Sequence, residues 1–125
     1  IKFGLQKKLE LGNINAKRDW GHARDYVEAM WLMLQNKKPE DFVIGTGKQY
    51  SVRDFAKLAF DYVNLDYRKY VIVKEKLKRP SEVDTLLANP LKAKRLLGWK
   101  PKVTFKKLVH DMVQSDLDFV EKEGY

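Results

Sequence analysis

The sequence predicts an α/β chain of the α+β kind, with about four helices and two or three short strands. Three observations carry this. Apolar residues recur at helical spacing in several stretches, short β-branched or aromatic runs lie between them, and polar caps and glycine stops punctuate the helices. Strand and helix alternate in the middle of the chain, but the strands are too few for a doubly wound fold by themselves.

Ile1 to Lys8 reads as the end of a helix, and Leu9 to Leu11 as a short extended piece closed by Gly12 and Asn13. Arg24 to Gln35 (RDYVEAMWLMLQ) is apolar on nearly every side, which predicts a buried helix. Asp41 to Gly45 (DFVIG) has the pattern of an interior strand. Ser51, with Asp54 three residues later, predicts a capping box that opens a helix ending near Asn64, with Val52, Phe55, Ala59 and Tyr62 turned inward.

Tyr70 to Val73 has strand composition, and Arg79-Pro80 is expected to stop it because proline offers no amide to a ladder. Asn89 is placed as a cap, Pro90 as the first residue and Gly98 as the stop of the next helix. Thr104 opens a long amphipathic helix with Phe105, Leu108, Val109, Met112, Val113 and Val120 on one face. Trp20, Trp31 and Trp99 are expected in the core.

At 125 residues the chain fits one domain with little margin, since a chain of this length buries about two-thirds of its unfolded surface. Its 44% apolar content is that of a folding sequence. The absence of cysteine excludes disulfides and Cys-based metal sites, and a cytoplasmic location is the expectation. No apolar run reaches the roughly 20 residues that span a bilayer, and the start has no signal-peptide layout. Beginning at Ile1 rather than methionine, the sequence is expected to be a piece of a longer protein. The net charge of +8, much of it between Arg68 and Lys107, favours anionic partners, with a solvated basic face as the alternative.

Three stretches carry more than composition: KRDWGHARDYVEAM (Lys17 to Met30), DFVIGTGKQYSVRDF (Asp41 to Phe55) and KRPSEVDTLLANPLKAKRLLGWKPKVTF (Lys78 to Phe105). Together, and in this order, they resemble the GDP-mannose 4,6-dehydratases of the extended short-chain dehydrogenase/reductase superfamily. The resemblance implies that residues 1–125 are the C-terminal, nucleotide-sugar-binding portion of such an enzyme. The intact enzyme would oxidise C4 of GDP-mannose through NADP, eliminate water across C5 and C6, and return the hydride to C6. Its Gly-rich NADP fingerprint, Tyr-x-x-x-Lys pair and dehydration Thr and Glu would lie in an N-terminal Rossmann half outside this chain. The chain alone is then expected to be inactive, with no cofactor or metal of its own. Its expected partners are GDP-mannose, the Rossmann half and further copies in a homo-oligomer, with no nucleic acid and no membrane.

The same resemblance assigns substrate contacts. Arg18, of the RD-aromatic element, would reach the diphosphate with a planar fork suited to two phosphate oxygens. Arg79, of the R-P-x-E-V-D motif, would supply a second cation, Glu82 would accept from ribose hydroxyls, and Asn13 would face guanine or ribose. The alternatives are a structural network of Arg18 with Asp19 or Asp25, a surface turn with an ion pair at Arg79 to Glu82, and a turn role for Asn13. Val73 to Lys78 departs from the family pattern. Gly45-Thr46-Gly47 is a lone G-x-G, read as a strand-to-helix turn rather than a phosphate loop. His22 has no second metal-type ligand at helical spacing, and His110 reads as a structural or surface residue. The competing readings are another nucleotide-sugar dehydratase or epimerase, a basic nucleic-acid-binding domain, and an oligomerisation module.

Overall fold

The computed structural model describes residues 1–124. Its strands form two separate pairs rather than one sheet. β1 (Leu9–Leu11) runs parallel to a strand late in the chain, β4 (Val71–Val73), with Leu9 opposite Val71 and Leu11 opposite Val73. β2 (Lys17–Arg18) pairs antiparallel with β3 (Tyr50–Ser51), Arg18 opposite Tyr50. Thr85 makes a parallel bridge to Lys17 on the other edge of β2. β2 therefore has a neighbour on both sides.

Among the described residues, five α-helices accompany these pairs: α1 (Ala23–Gln35), α2 (Val52–Tyr62), the single turn α3 (Tyr67–Tyr70), α4 (Leu91–Leu97) and α5 (Phe105–Glu123). Their ends follow the sequence signals. The Ser51 hydroxyl accepts from the Asp54 amide at 3.0 Å, while the Asp54 carboxylate accepts from the Ser51 amide at 2.8 Å, completing the capping box of α2. Thr104 caps α5 through the Lys107 amide, and Gly98 closes α4 with a left-handed φ of 65° that only glycine adopts freely. Asn89 accepts from the Leu91 amide, although Pro90 takes the cap position itself.

Two packed regions hold the chain together. In one, α2 lies against α5, burying Ala56 and Phe60 from the first and Phe105, Leu108 and Val109 from the second. Tyr50 stacks on Phe105 at 4.0 Å between ring centres, and Trp20 meets Phe55 at 4.9 Å. In the other, Ala29 of α1, Ala93 of α4 and Trp99 form a buried cluster backed by Tyr26, Leu32, Phe42, Ile44 and Leu97. The Trp99 indole donates to the Asp25 carbonyl at 2.8 Å. The buried Asp25 carboxylate accepts from the Lys102 and Val103 amides at 2.9 and 3.0 Å, tying the start of α1 to the entry of α5.

The structure departs from the sequence expectations in several places. Residues 1–8 form turns rather than a helix, because Gly4 takes a φ of 78° and its amide closes a turn on the Ile1 carbonyl. Asp41 to Ile44 is irregular, since the described residues offer it no strand partner, though Phe42 and Ile44 still pack on the core. β4 stops at Val73, ahead of Pro80, where the Glu75–Leu77 3₁₀ turn takes over and lies so close to Gly12 that a Cβ there would meet the Leu77 carbonyl oxygen at 2.5 Å. The α2 face that goes deepest is Ala56 and Phe60, with Val52, Phe55, Ala59 and Tyr62 half-buried at its edges. Met112, expected on the inward face of α5, is exposed.

The largest departure is α1. Of its residues only Asp25 and Ala29 are buried, whereas Val27, Met30, Trp31 and Leu34 are exposed, Leu34 at 82%. α4 covers one face of this all-round apolar helix, and no second layer among the described residues covers the exposed one. Trp31 is accordingly a surface residue, Trp20 is half-buried, and Trp99 is the one tryptophan that is fully inside.

Candidate functional site

The site grows from β2. The Lys17 amide donates to the Asp84 carbonyl at 2.8 Å, and the Leu86 amide donates to the Lys17 carbonyl at 3.1 Å, so residues 82–86 run beside the strand that bears Arg18. That bridge brings two distant motifs together. Arg18 Nη2 lies 2.7 Å from Glu82 Oε1, and Arg18 Nη1 donates to the Lys17 carbonyl at 2.8 Å. The pair is only a quarter to a fifth exposed, so its charge-assisted bond is partly shielded from water.

Neither acidic residue suggested as a structural partner takes Arg18: Asp25 is committed to the Lys102 and Val103 amides ahead of α5, and Asp19 to a loop. The other two expected contacts are not drawn into this pair. Arg79 is exposed in the turn before Pro80, with no hydrogen bond or ion pair among the described residues. Asn13 accepts from the Asn15 amide at 3.0 Å, a turn within the link from β1 to β2. Asn15 then accepts from Arg53 at 2.8 Å, which fixes this link to α2.

The sequence offers Asp19 only as a structural partner of Arg18, yet it organises the neighbourhood. Its carboxylate accepts from the Thr46 amide (2.8 Å), the Thr46 hydroxyl (2.6 Å), the Gly47 amide (2.9 Å) and the Ala88 amide (3.3 Å). The Gly45-Thr46-Gly47 loop thus cradles an anion, but the anion is the protein's own. The adjacency of Asp19 to Arg18 and the isolated G-x-G were the available signals, and nothing in a linear pattern joins them.

These residues do not fit a dinucleotide cofactor, because the amides of the one glycine loop that could meet a pyrophosphate are spent on Asp19. A Tyr-x-x-x-Lys spacing, expected to be absent from the chain, does occur at Tyr70 to Lys74. It spans β4 rather than a helix, with the Tyr70 ring stacked on Phe60 and Lys74 paired with Glu10 at 2.8 Å. No cluster of three metal-ligating side chains occurs among the described residues. His22 instead caps α1, its Nδ1 accepting from the Arg24 amide at 3.1 Å, and His110 lies against the Tyr62 ring.

Beside the Asp19 loop, the Tyr26 phenol is pushed up from its ordinary pKa, first by burial and then by the Asp19 and Asp25 carboxylates. Its ring crosses Gly21 so closely that a Cβ there would sit 2.2 Å from the phenol oxygen. Any side chain at Gly21 would displace it.

Residues 1–112 match the family described as GDP-mannose 4,6 dehydratase. The chain belongs to the GDP-mannose 4,6-dehydratase family. Among its relatives, GDP-mannose 4,6 dehydratase 1 of Arabidopsis thaliana is 53% identical over 98% of this chain and 34% of its own length. GDP-mannose 4,6 dehydratase of Dictyostelium discoideum is 49% identical over 97% of this chain and 39% of its own, and that of Homo sapiens is 44% identical over 96% and 37%. The chain thus spans about a third of the length of the curated dehydratases it matches.

Solved structures give the fold. RMD from Pseudomonas aeruginosa, complexed with NADPH, superposes with a TM-score of 0.80 at 22% identity, covering 90% of this chain and 37% of that one. UDP-glucose 4-epimerase from Thermotoga maritima, with UDP-glucose, gives 0.80 at 27% identity, covering 90% and 36%. dTDP-glucose 4,6-dehydratase from Bacillus anthracis, with NAD, gives 0.79 at 21% identity, covering 92% and 36%. The chain shares its α/β fold with about a third of each of these solved chains.

Proposed function

We propose that this chain is the C-terminal, nucleotide-sugar-binding portion of a GDP-mannose 4,6-dehydratase, a lyase that turns GDP-mannose into GDP-4-keto-6-deoxymannose on the way to GDP-fucose. The observation that carries the reading is the joining of Arg18 to Glu82 across the Lys17 to Thr85 bridge, within a sequence of this family. Arg18 then offers a guanidinium already aimed by a carboxylate, ready to pair phosphate oxygens. Glu82 has lone pairs left for ribose hydroxyls while it backs the arginine. Arg79, exposed three residues before Glu82 in the sequence, would supply the second cation, and Asn13 lies on the turn assigned to guanine or ribose.

NADP belongs to the remainder of the enzyme in this reading, as do the acid and base groups of the dehydration. The residues here bind and orient substrate and route no chemical step. A homo-oligomer in the cytoplasm is the proposed setting; no described helix is long and apolar enough to cross a membrane.

GDP titration of the full-length enzyme, before and after Arg18→Ala and Arg79→Ala, tests the proposal. Loss of affinity in both variants supports it, and affinity indifferent to Arg18→Ala sinks it. Because one structural neighbour holds UDP-glucose, that sugar nucleotide is the comparison ligand, and preference for it over GDP-mannose would move the chain to an epimerase role.

A further inference from the structure

Asp19 follows Arg18 directly, but its side chain serves neither that arginine nor open solvent. It gathers two donors from Thr46, one from Gly47 and one from Ala88, which fills the roughly four lone-pair directions of a carboxylate. The loop is shaped for this contact. A Cβ on Gly45 would sit 2.3 Å from the Ala88 side chain and 3.0 Å from Asp19 Oδ2, and Gly47 turns with a φ of 72°.

Ala88 closes the stretch that contains Glu82 and follows Arg79. That stretch is fastened to β2 at two points on either side of Arg18, by the backbone bridge at Lys17 and by the Asp19 carboxylate. Upstream, residues 75–81 are exposed, and no backbone bond ties them to another element. The two fastenings set the register, and a slip of one residue would turn Glu82 to the opposite face.

We propose that Asp19 is a positioning residue for nucleotide-sugar binding, its carboxylate fixing the segment that bears Arg79 and Glu82 against the strand that bears Arg18. The inference rests on the reading of those three residues as substrate contacts. Asp19 touches no ligand itself, because its acceptor directions are already used. An amide cannot replace it, since the NH₂ half of asparagine would face N–H donors.

The test uses the full-length enzyme carrying Asp19→Asn. Amide hydrogen exchange over residues 45–47 and 84–88 is expected to rise about tenfold or more, while α5 keeps its protection. The KM for GDP-mannose rises by about tenfold with kcat nearly unchanged, and Arg79→Ala costs less affinity for GDP in the Asp19→Asn background than in the parent. Additive losses, or a fall in kcat at constant KM, overturn the proposal. If Asp19→Asn does not fold, Thr46→Val removes only the hydroxyl donor and should move the same readouts in the same direction by less; unchanged exchange there also overturns it. Failure of the underlying site reading looks different, as a parent enzyme that binds no GDP. The exchange measurement then decides the role of Asp19 by itself: faster exchange upholds the fastening, and unchanged exchange removes it.

Discussion

Arg18 Nη2 and Glu82 Oε1 stand 2.7 Å apart across 64 residues of sequence, a contact made where Thr85 bridges to Lys17. Each charge-assisted contact of such an arginine to phosphate is worth about 1.5–3 kcal/mol, or roughly ten- to a hundredfold in affinity. Arg18→Lys should therefore weaken GDP binding nearly as much as Arg18→Ala, because an ammonium reproduces neither the fork nor its alignment by Glu82. Glu82→Gln should cost less, since an amide oxygen still accepts from a hydroxyl and from Arg18. Calorimetric titration of GDP against each full-length variant reads both comparisons.

The chain by itself should turn over nothing. Incubated with GDP-mannose and NADP, it is expected to yield no 4-keto product above a buffer control, because the amides of its Gly45-Thr46-Gly47 loop hold Asp19, and Tyr70 ends α3 while Lys74 follows β4. Measurable product would overturn the reading of this chain as a binding portion.

Val27, Met30, Trp31 and Leu34 make one exposed apolar stripe along α1. An uncovered stripe of this kind drives association, so the isolated chain should form oligomers as its concentration rises. Trp31→Lys with Leu34→Lys should shift it toward monomer on size-exclusion chromatography. A parent chain that runs as a monomer at every concentration would contradict the expectation.

Asp25 is buried and holds the Lys102 and Val103 amides. Asp25→Ala leaves both donors without a partner and should cost about 2–4 kcal/mol. Asp25→Asn should cost less, because its oxygen can still face both amides. Urea unfolding of the full-length protein compares the two.

Hydrogen bonds from the Ser51 hydroxyl and amide hold the Asp54 carboxyl below its ordinary pKa. A folded value below the unfolded one means the capping box stabilises α2 fully above the unfolded carboxyl pKa and loses that contribution as pH falls through the folded value. Ser51→Ala should cost about 0.5–2 kcal/mol near neutral pH and less under acid conditions. The pH dependence of urea midpoints, parent against variant, is the measurement.

Local chemistry made the helices legible. Ser51 with Asp54 and Thr104 state helix starts through bonds made within a few residues, and Gly98 states a helix end through its left-handed backbone. Strands were legible only where composition and a partner coincided, as at Val71 to Val73; Asp41 to Ile44 has the composition but no strand partner among the described residues. The burial of α1 was overread because an apolar helix says that it needs cover, not where the cover comes from. In the site, the residue types of Arg18 and Glu82 were readable from motifs, but their contact depends on the bridge at Thr85. The fastening role of Asp19 has no linear signal, because its four donors come from two loops far along the chain.

That bridge also has a consequence in time. A ribosome adds about 5–20 residues per second, so Arg18 is made roughly 3–13 s before Glu82, 64 residues downstream. Over that interval β2 has at most one of its two neighbours, and the cation on it has no carboxylate to meet. β1 likewise waits for β4. The Arg18 to Glu82 pair is thus completed only after Thr85 is made, and a nascent chain stalled before Thr85 would display helices α1 and α2 without that pair fastened.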